Sequence, residues 1–354
     1  MLKFKRIYAC ICSATAFFFF STVWIHGGGQ NPRNREEVSF QSGDFKIVGD
    51  LYIPQGGERH PAVVFVHGDG PASRPLSRFT RKIIDGFLET GFACLFYDKP
   101  GYGESTGELR RGGLFKNRAS ILVSAVQFLK EHHIIDPDHI GLWGISQAGY
   151  VMPLAVKKSK DISFMIAISC PAMDSVDQSA YLVEKQILCR GYRKDEARKA
   201  RIYFKQRARA RDYKEYLEAA EYLDNNPVIK SLNWGGITPE DRFSPKEPSS
   251  PSFFNPIEII KAISIPVLAI FGDTDTQIDP IQGALAYEKV LKQARNPFFQ
   301  VKLFPKANHG IIVSETGCMD EMRDRYSSGK SIEYAPGYLE LMNEWLAKLK
   351  QTWK

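Results

Sequence analysis

The chain has 354 residues, 44% of them hydrophobic, which is enough to bury one large core or a core with an inserted second unit. A net charge of +7 is mild and excludes a uniformly basic chain; the basic residues gather in one stretch described below. The six cysteines, at 10, 12, 94, 170, 189 and 318, show neither a zinc-site spacing nor a disulfide framework.

Lys3, Lys5 and Arg6 precede an uncharged apolar run, residues 7–25, which contains four consecutive phenylalanines. A positive start followed by such a run reads as an export signal or an N-terminal membrane anchor. A cleaved and an uncleaved leader both fit, and the expectation is an exported, cell-envelope protein that is membrane-anchored or secreted. His26-Gly27-Gly28-Gly29 has the form of an oxyanion motif, but it follows the leader rather than a core strand. It reads as linker, and the leader with its linker is placed at residues 1–35.

Val38 to Phe40 and Ile47 to Ile53 read as an antiparallel hairpin about a Ser42-Gly43-Asp44 turn. Ala62 to Val66 is a solid apolar strand running into His67-Gly68-Asp69-Gly70-Pro71. A loop in that place can aim a backbone N–H at the mouth of a sheet, with Asp69 as the donor; His67 reads as a loop-stabilising residue. Phe79 to Thr90 is helical and stops at Gly91, and Ala93 to Tyr97 is the next strand. Asp98 to Ser105 is a Gly/Pro loop that fits neither phosphate-binding fingerprint, so Asp98 is expected to fix its shape by hydrogen bonds. Ser120 to His132 is an amphipathic helix, and Asp136 to His139 a turn; His132, His133 and His139 are expected to be solvated.

Ile140 to Trp143 reads as a buried strand, and Gly144-Ile145-Ser146-Gln147-Ala148-Gly149 follows. A serine on a sharp strand-to-helix turn, with small residues two before and two after it, is a nucleophile-elbow pattern. Ser146 there would stand at a helix N-terminus, and the N–H of Gln147 would be a second oxyanion donor. The alternation of strands and helices argues an α/β fold with a doubly wound, mostly parallel sheet.

A strand ending in HGDGP, then YDKPGYGES, then IGLWGISQAG, resembles the α/β-hydrolase superfamily. Within it the chain is similar to bacterial esterases related to dienelactone hydrolase and to the prolyl-oligopeptidase catalytic domain, over roughly residues 36–350. Ala148 departs from the commoner glycine of the elbow, a small-for-small change.

After the strand Ser163 to Ser169 the alternation stops. Asp177 to Leu188 and Asp195 to Leu223 read as helices, and Asn233 to Pro251 as a loop. The resemblance implies a helical cap over the site, so residues 171–262 are set apart from a catalytic domain of residues 36–170 and 263–354. Tyr181, Leu182, Tyr203, Phe204 and Trp234 are candidates to line its acyl pocket, with about half of them expected in the cap's own core. Residues 190–214 carry eleven Lys/Arg against three Asp/Glu, expected on the cap's outer face as a solvated surface or an attraction for membranes or acidic substrates. The stretch lacks the aromatic interleaving that would point to nucleic acid.

Pro266 to Phe271 and Val301 to Phe304 are the last strands, followed by loops holding Asp273, Asp275, Asp279 and His309. Serine, acid, histidine is the superfamily's chain order. The family places its acid in the G-x-x-D position, which implies Asp275; Asp273, Asp279 and Asp174 are its rivals. His309 would take the proton of Ser146. Tyr338 to Leu349 reads as a closing helix. Together these imply a serine esterase acting on small-molecule esters through an acyl-enzyme, with no cofactor, metal or nucleic acid. A peptidase or aminopeptidase, an acyltransferase and a non-catalytic binding module remain the alternatives. Cys94 and Cys170 are expected as buried thiols; a Cys189–Cys318 bridge can be drawn, but no pattern asks for it.

Overall fold

The computed structural model describes residues 34–70, 72–74, 78–109, 113–231, 239–243, 253–329 and 333–353. Residues 1–33 of the leader and linker, and Trp234, lie outside them. Among the described residues no helix is long and apolar enough to cross a membrane.

β1 (Arg35–Ser42) and β2 (Phe45–Tyr52) form the expected hairpin, turning at Gly43 with φ +56°. β3 (His60–Val66), α1 (Arg78–Glu89), β4 (Ala93–Tyr97), α2 (Leu114–Glu131), β5 (Ile135–Ile145), α3 (Ala148–Lys158) and β6 (Ile162–Ile168) then alternate. An insertion of α4 (Ser175–Cys189), α5 (Lys194–Arg209) and α6 (Tyr213–Asn225), with short α7 (Pro227–Ser231), α8 (Pro239–Phe243) and α9 (Ile257–Ile260), precedes β7 (Val267–Gly272). The chain closes with α10 (Pro280–Gln293), β8 (Phe299–Phe304), α11 (Met319–Ser327) and α12 (Tyr338–Gln351).

The strands form one sheet in the order β1-β2-β4-β3-β5-β6-β7-β8, parallel from β4 to β8 and antiparallel at the β1–β2–β4 edge. Ala62, Val64 and Val66 pack with α2, α3 and α10, while Val63 and Phe65 pack with α1 and α12 on the other face. Helices on both faces explain why β3 is apolar at successive positions rather than alternating. The fold is therefore the doubly wound, mostly parallel sheet with a helical insertion.

Four local readings are corrected. Asp136 to His139 lies within β5, because Ile135 still pairs with His60 before a register shift. Asp136 holds that irregular stretch through the Asp138 N–H at 3.1 Å and His139 Nδ1 at 2.7 Å. α2 starts at Leu114, with Arg118 on its apolar side, so the charge hid the first turns. The second insertion helix is two helices: Asp212 caps α6 by accepting from the Glu215 N–H at 2.9 Å. His132 and His139 are half-buried, and His139 stacks on Trp353 at 3.9 Å.

The insertion has its own core, built on Val176, Val183, Ile187, Ala200, Phe204 and Leu223. Most of its basic run is exposed, as expected of an outer face, but many of the charges are paired there. Arg201 pairs with Glu184, Lys205 with Asp177, and Arg209 with Asp174 and Asp177, while Arg207, only 5% exposed, pairs with Asp224. Acids on α4 and α6 thus take up charges that looked surplus in the sequence.

Cys94 and Cys170 are free and buried, as expected. Cys189 and Cys318 do form a disulfide, across 129 residues, and it ties the end of α4 to the segment between His309 and α11. A disulfide is worth typically about 2–4 kcal/mol, and more as the closed loop lengthens. Replacing both cysteines by serine is expected to lower Tm in a thermal melt, and adding reductant should lower the wild-type Tm toward that of the double variant.

Candidate active site

β5 ends in a turn that only small residues permit. Ser146 sits at φ 61°, in the left-handed region that side chains rarely adopt, and α3 begins two residues later. A Cβ on Gly144 would stand 2.6 Å from the Ala148 Cβ, and one on Gly149 would stand 2.7 Å from the Cys170 Cβ. The turn is pinned by the Ser146 N–H donating to the Ile168 carbonyl at 3.0 Å and by the Gly149 N–H donating to the Ser146 carbonyl at 2.9 Å. Ser146 remains half-buried, and so within reach of a substrate.

The acid and the histidine come from the ends of β7 and β8, which lie in the same parallel run as β5 and so open on the same carboxyl edge. His309 Nδ1 donates to Asp275 Oδ2 at 2.8 Å, with the Asp275 side chain fully enclosed. That bond leaves the other ring nitrogen, Nε2, free to accept a proton. The second carboxylate oxygen of Asp275 accepts the Gln277 and Ile278 N–H groups at 2.7 and 3.0 Å. The rivals are otherwise engaged. Asp279 caps α10 through the Gln282 N–H, Asp174 caps α4 through the Val176 and Asp177 N–H groups, and Asp273 is exposed.

The loop after β3 crosses beside the nucleophile turn: a Cβ on Gly68 would lie 3.3 Å from the Ser146 Cβ. The N–H groups of Asp69 and Gln147 have no acceptor among the described residues. Their side chains meet, with Gln147 Nε2 donating to Asp69 Oδ1 at 2.9 Å. His67 is buried and donates through Nε2 to the Tyr97 carbonyl at 2.6 Å. Burial, with Lys99 and Arg118 nearby, drives its pKa down to about 3, so it is a neutral structural residue. Asp98 fixes the neighbouring loop as expected, accepting from the Arg74 and Glu104 N–H groups at 2.6 and 3.0 Å.

Tyr181 has a different part from the one expected, and Lys99 and Arg118 are participants the sequence did not point to. Tyr181 was expected in the pocket lining; its hydroxyl instead donates to the Asp275 carbonyl at 2.7 Å. Of the other lining candidates, Phe204 belongs to the insertion's core, Tyr203 stacks on Tyr222 at 4.3 Å, and Leu182 is half-buried. Lys99 donates to the Gly68 and Gly70 carbonyls at 2.7 and 2.5 Å, and Arg118 donates to the His67 carbonyl and to Gln147 Oε1. Arg118 had one signal, a cation on the apolar stripe of Phe115, Ala119 and Leu122. Among the described residues no group of three or more His, Cys, Asp or Glu is arranged to hold a metal ion.

The sheet, the strained serine turn and the paired acid and histidine define a serine hydrolase of the α/β-hydrolase superfamily. The chain belongs to the X-Pro dipeptidyl-peptidase (S15) family, whose model matches residues 43–293. It is 31% identical over 140 residues to the thiohydrolase aneE of Aspergillus aculeatus, covering 39% of this chain and 42% of that protein. It is 30% identical over 141 residues to the polyketide transferase grgF of a Penicillium species, covering 40% of this chain and 46% of that protein. The chain thus spans less than half the length of these curated relatives. The solved structure of esterase Pf2001 from Pyrococcus furiosus matches at TM-score 0.54 and 18% identity, covering 91% of this chain and 94% of that one, which is a likeness of fold.

Neutral burial of His67 has a pH consequence. The unfolded histidine takes up a proton near its ordinary value of 6.5, while the folded one does so only near 3. Between those limits the unfolded state binds more protons, so stability falls as pH drops from about 6.5 toward 3. Urea denaturation across that range should show a shallower pH slope for His67→Gln than for wild type.

Proposed function

We propose that this protein hydrolyses carboxylic esters through an acyl-enzyme formed on Ser146. The observation that carries the reading is the His309–Asp275 hydrogen bond of 2.8 Å, at the carboxyl edge that also presents the strained Ser146 turn. In this mechanism Ser146 Oγ attacks the ester carbonyl carbon while His309 Nε2 takes its proton. Asp275 holds the imidazole tautomer and stabilises the imidazolium. The carbonyl oxygen becomes an oxyanion between the N–H groups of Asp69 and Gln147. Collapse expels the alcohol, which receives the proton from His309. Water then repeats the sequence on the acyl group and frees Ser146.

Thioesters are a natural extension of the substrate class, given the thiohydrolase relative, and transfer to another alcohol or thiol would use the same acyl-enzyme. A second reading, peptide cleavage after an X-Pro unit, is favoured by the family's name. The helical insertion is read as a cap. α4 lies against the Asp275 loop, where a cap would shield the oxyanion site from water. We further propose an exported protein, membrane-associated through its N-terminal segment or secreted. The Cys189–Cys318 disulfide supports this, since such bonds persist in oxidising compartments, and so does the basic-then-apolar leader.

A fluorophosphonate probe should label Ser146, and Ser146→Ala should abolish labelling and lower turnover by roughly 10⁴-fold or more. Asp275→Asn should cost on the order of 10⁴ in turnover, while Asp273→Asn stays near wild type. Assayed side by side, p-nitrophenyl esters should be turned over and an X-Pro p-nitroanilide should not; the opposite preference would replace esterase by peptidase.

A further inference from the structure

In a trans peptide the carbonyl of one residue and the N–H of the next share a rigid plane and point in opposite directions. The Asp69 N–H therefore cannot turn without turning the Gly68 carbonyl. Lys99 Nζ grips that carbonyl at 2.7 Å and the Gly70 carbonyl at 2.5 Å. Lys99 is itself anchored, its N–H donating to the Ala72 carbonyl and its carbonyl accepting from the Tyr102 N–H. It is 4% exposed, so no bulk water competes for its ammonium.

The same logic holds at the other N–H. Gln147 shares its peptide plane with the Ser146 carbonyl, which the Gly149 N–H fixes at 2.9 Å as α3 begins. Helix geometry thus aims one donor. The loop after β3 has no helix to do this, and a buried lysine stands in the equivalent place. Arg118, 3% exposed, braces both sides by donating to the His67 carbonyl and to Gln147 Oε1. Burial, and repulsion from Arg118 after it, push the Lys99 ammonium well below the usual lysine range. The Asp69 carboxylate acts the other way and favours the charged form, and the two hydrogen bonds to the Gly68 and Gly70 carbonyls fix where the Lys99 nitrogen sits.

We propose that Lys99 is a positioning residue of the oxyanion site, holding the Gly68–Asp69 peptide so that the Asp69 N–H faces the oxygen that becomes charged when Ser146 attacks. The inference rests on the esterase reading and deepens it. It assigns to the rigid loop after β4 a part in transition-state binding rather than shape alone. Lys99 touches neither substrate nor reacting atoms, so its effect should fall on the charged state and spare ground-state binding.

The test uses the full chain with a trifluoromethyl ketone. Ser146 Oγ adds to the ketone carbon, its proton passes to His309, and the ketone oxygen becomes the oxyanion. The matching methyl ketone serves as a ground-state control. Lys99→Met is expected to lower kcat by about 10²-fold, the scale of one oxyanion donor, with KM changed less than about threefold. The trifluoromethyl ketone Ki should rise by the same factor as kcat falls, the methyl ketone Ki should hold, and Lys99→Arg should recover most of the loss. If Lys99→Met does not fold, Lys99→Gln and Lys99→Arg carry the same comparison.

Unchanged kcat and trifluoromethyl ketone affinity in a folded variant would overturn the proposal. So would equal weakening of both ketones, since that marks a general loss of structure. Absence of fluorophosphonate labelling at Ser146 in the wild type would instead sink the esterase reading itself. With labelling intact, the ketone comparison judges Lys99 alone.

Discussion

A serine held at φ 61° survives only where its surroundings forbid relaxation, and much of this structure can be understood as what that turn requires. Gly144 and Ala148 let the chain cross itself, and Gly149 lets α3 settle against Cys170 and Pro171. Neighbouring strands supply the rest: the Ile168 carbonyl at the end of β6 takes the Ser146 N–H. A doubly covered parallel sheet is suited to this, because its strands are buried on both faces and cannot shift one at a time. The strain is local, and the rigidity that holds it comes from the whole sheet.

The acid side of the site is fixed differently. Asp275 lies in a loop, and loops need partners to hold a shape. α4 provides them. Tyr181, Gln186 and Gln178 donate to the carbonyls of Asp275, Thr276 and Gln277, and the Asp279 N–H donates back to Gln178. The disulfide then clamps the far end of α4 to the segment beyond His309. The first helix of the insertion is therefore a fixed wall of the site. α5 and α6 stand apart from that wall, their contacts running mainly to each other and to α4 through a separate core.

Charge buried beneath the site follows from the same need. Lys99 and Arg118 are enclosed, and a buried cation is costly unless its donors are matched. Both spend their donors on backbone carbonyls of the loop after β3, with Arg118 also reaching Gln147. The arrangement turns an expensive burial into control over a loop that has no secondary structure of its own. The basic stretch of the insertion obeys the rule in the opposite setting: nearer the surface, Arg201, Lys205 and Arg209 of α5 meet acids of α4.

The sequence by itself determined the apolar centres of the strands, the order of the α/β alternation and the serine turn. Each depends on residues close together in the chain: a run of β-branched residues, a glycine where only glycine fits, a helix stop at Gly91. The elbow was legible because its small residues stand within three positions of Ser146. The family resemblance picked out Asp275, and only the tertiary structure gave the physical reason that it, among four aspartates, faces His309. Asp174, Asp273, Asp275 and Asp279 are alike in composition, and what separates them is that two cap helices, one faces solvent and one is enclosed beside the imidazole. The Cys189–Cys318 bond, the hydroxyl of Tyr181 on Asp275 and the grip of Lys99 on Gly68 span 129, 94 and 31 residues. Pairings at that separation leave no local pattern, because the sheet, not the intervening chain, sets which strand ends and loops stand side by side.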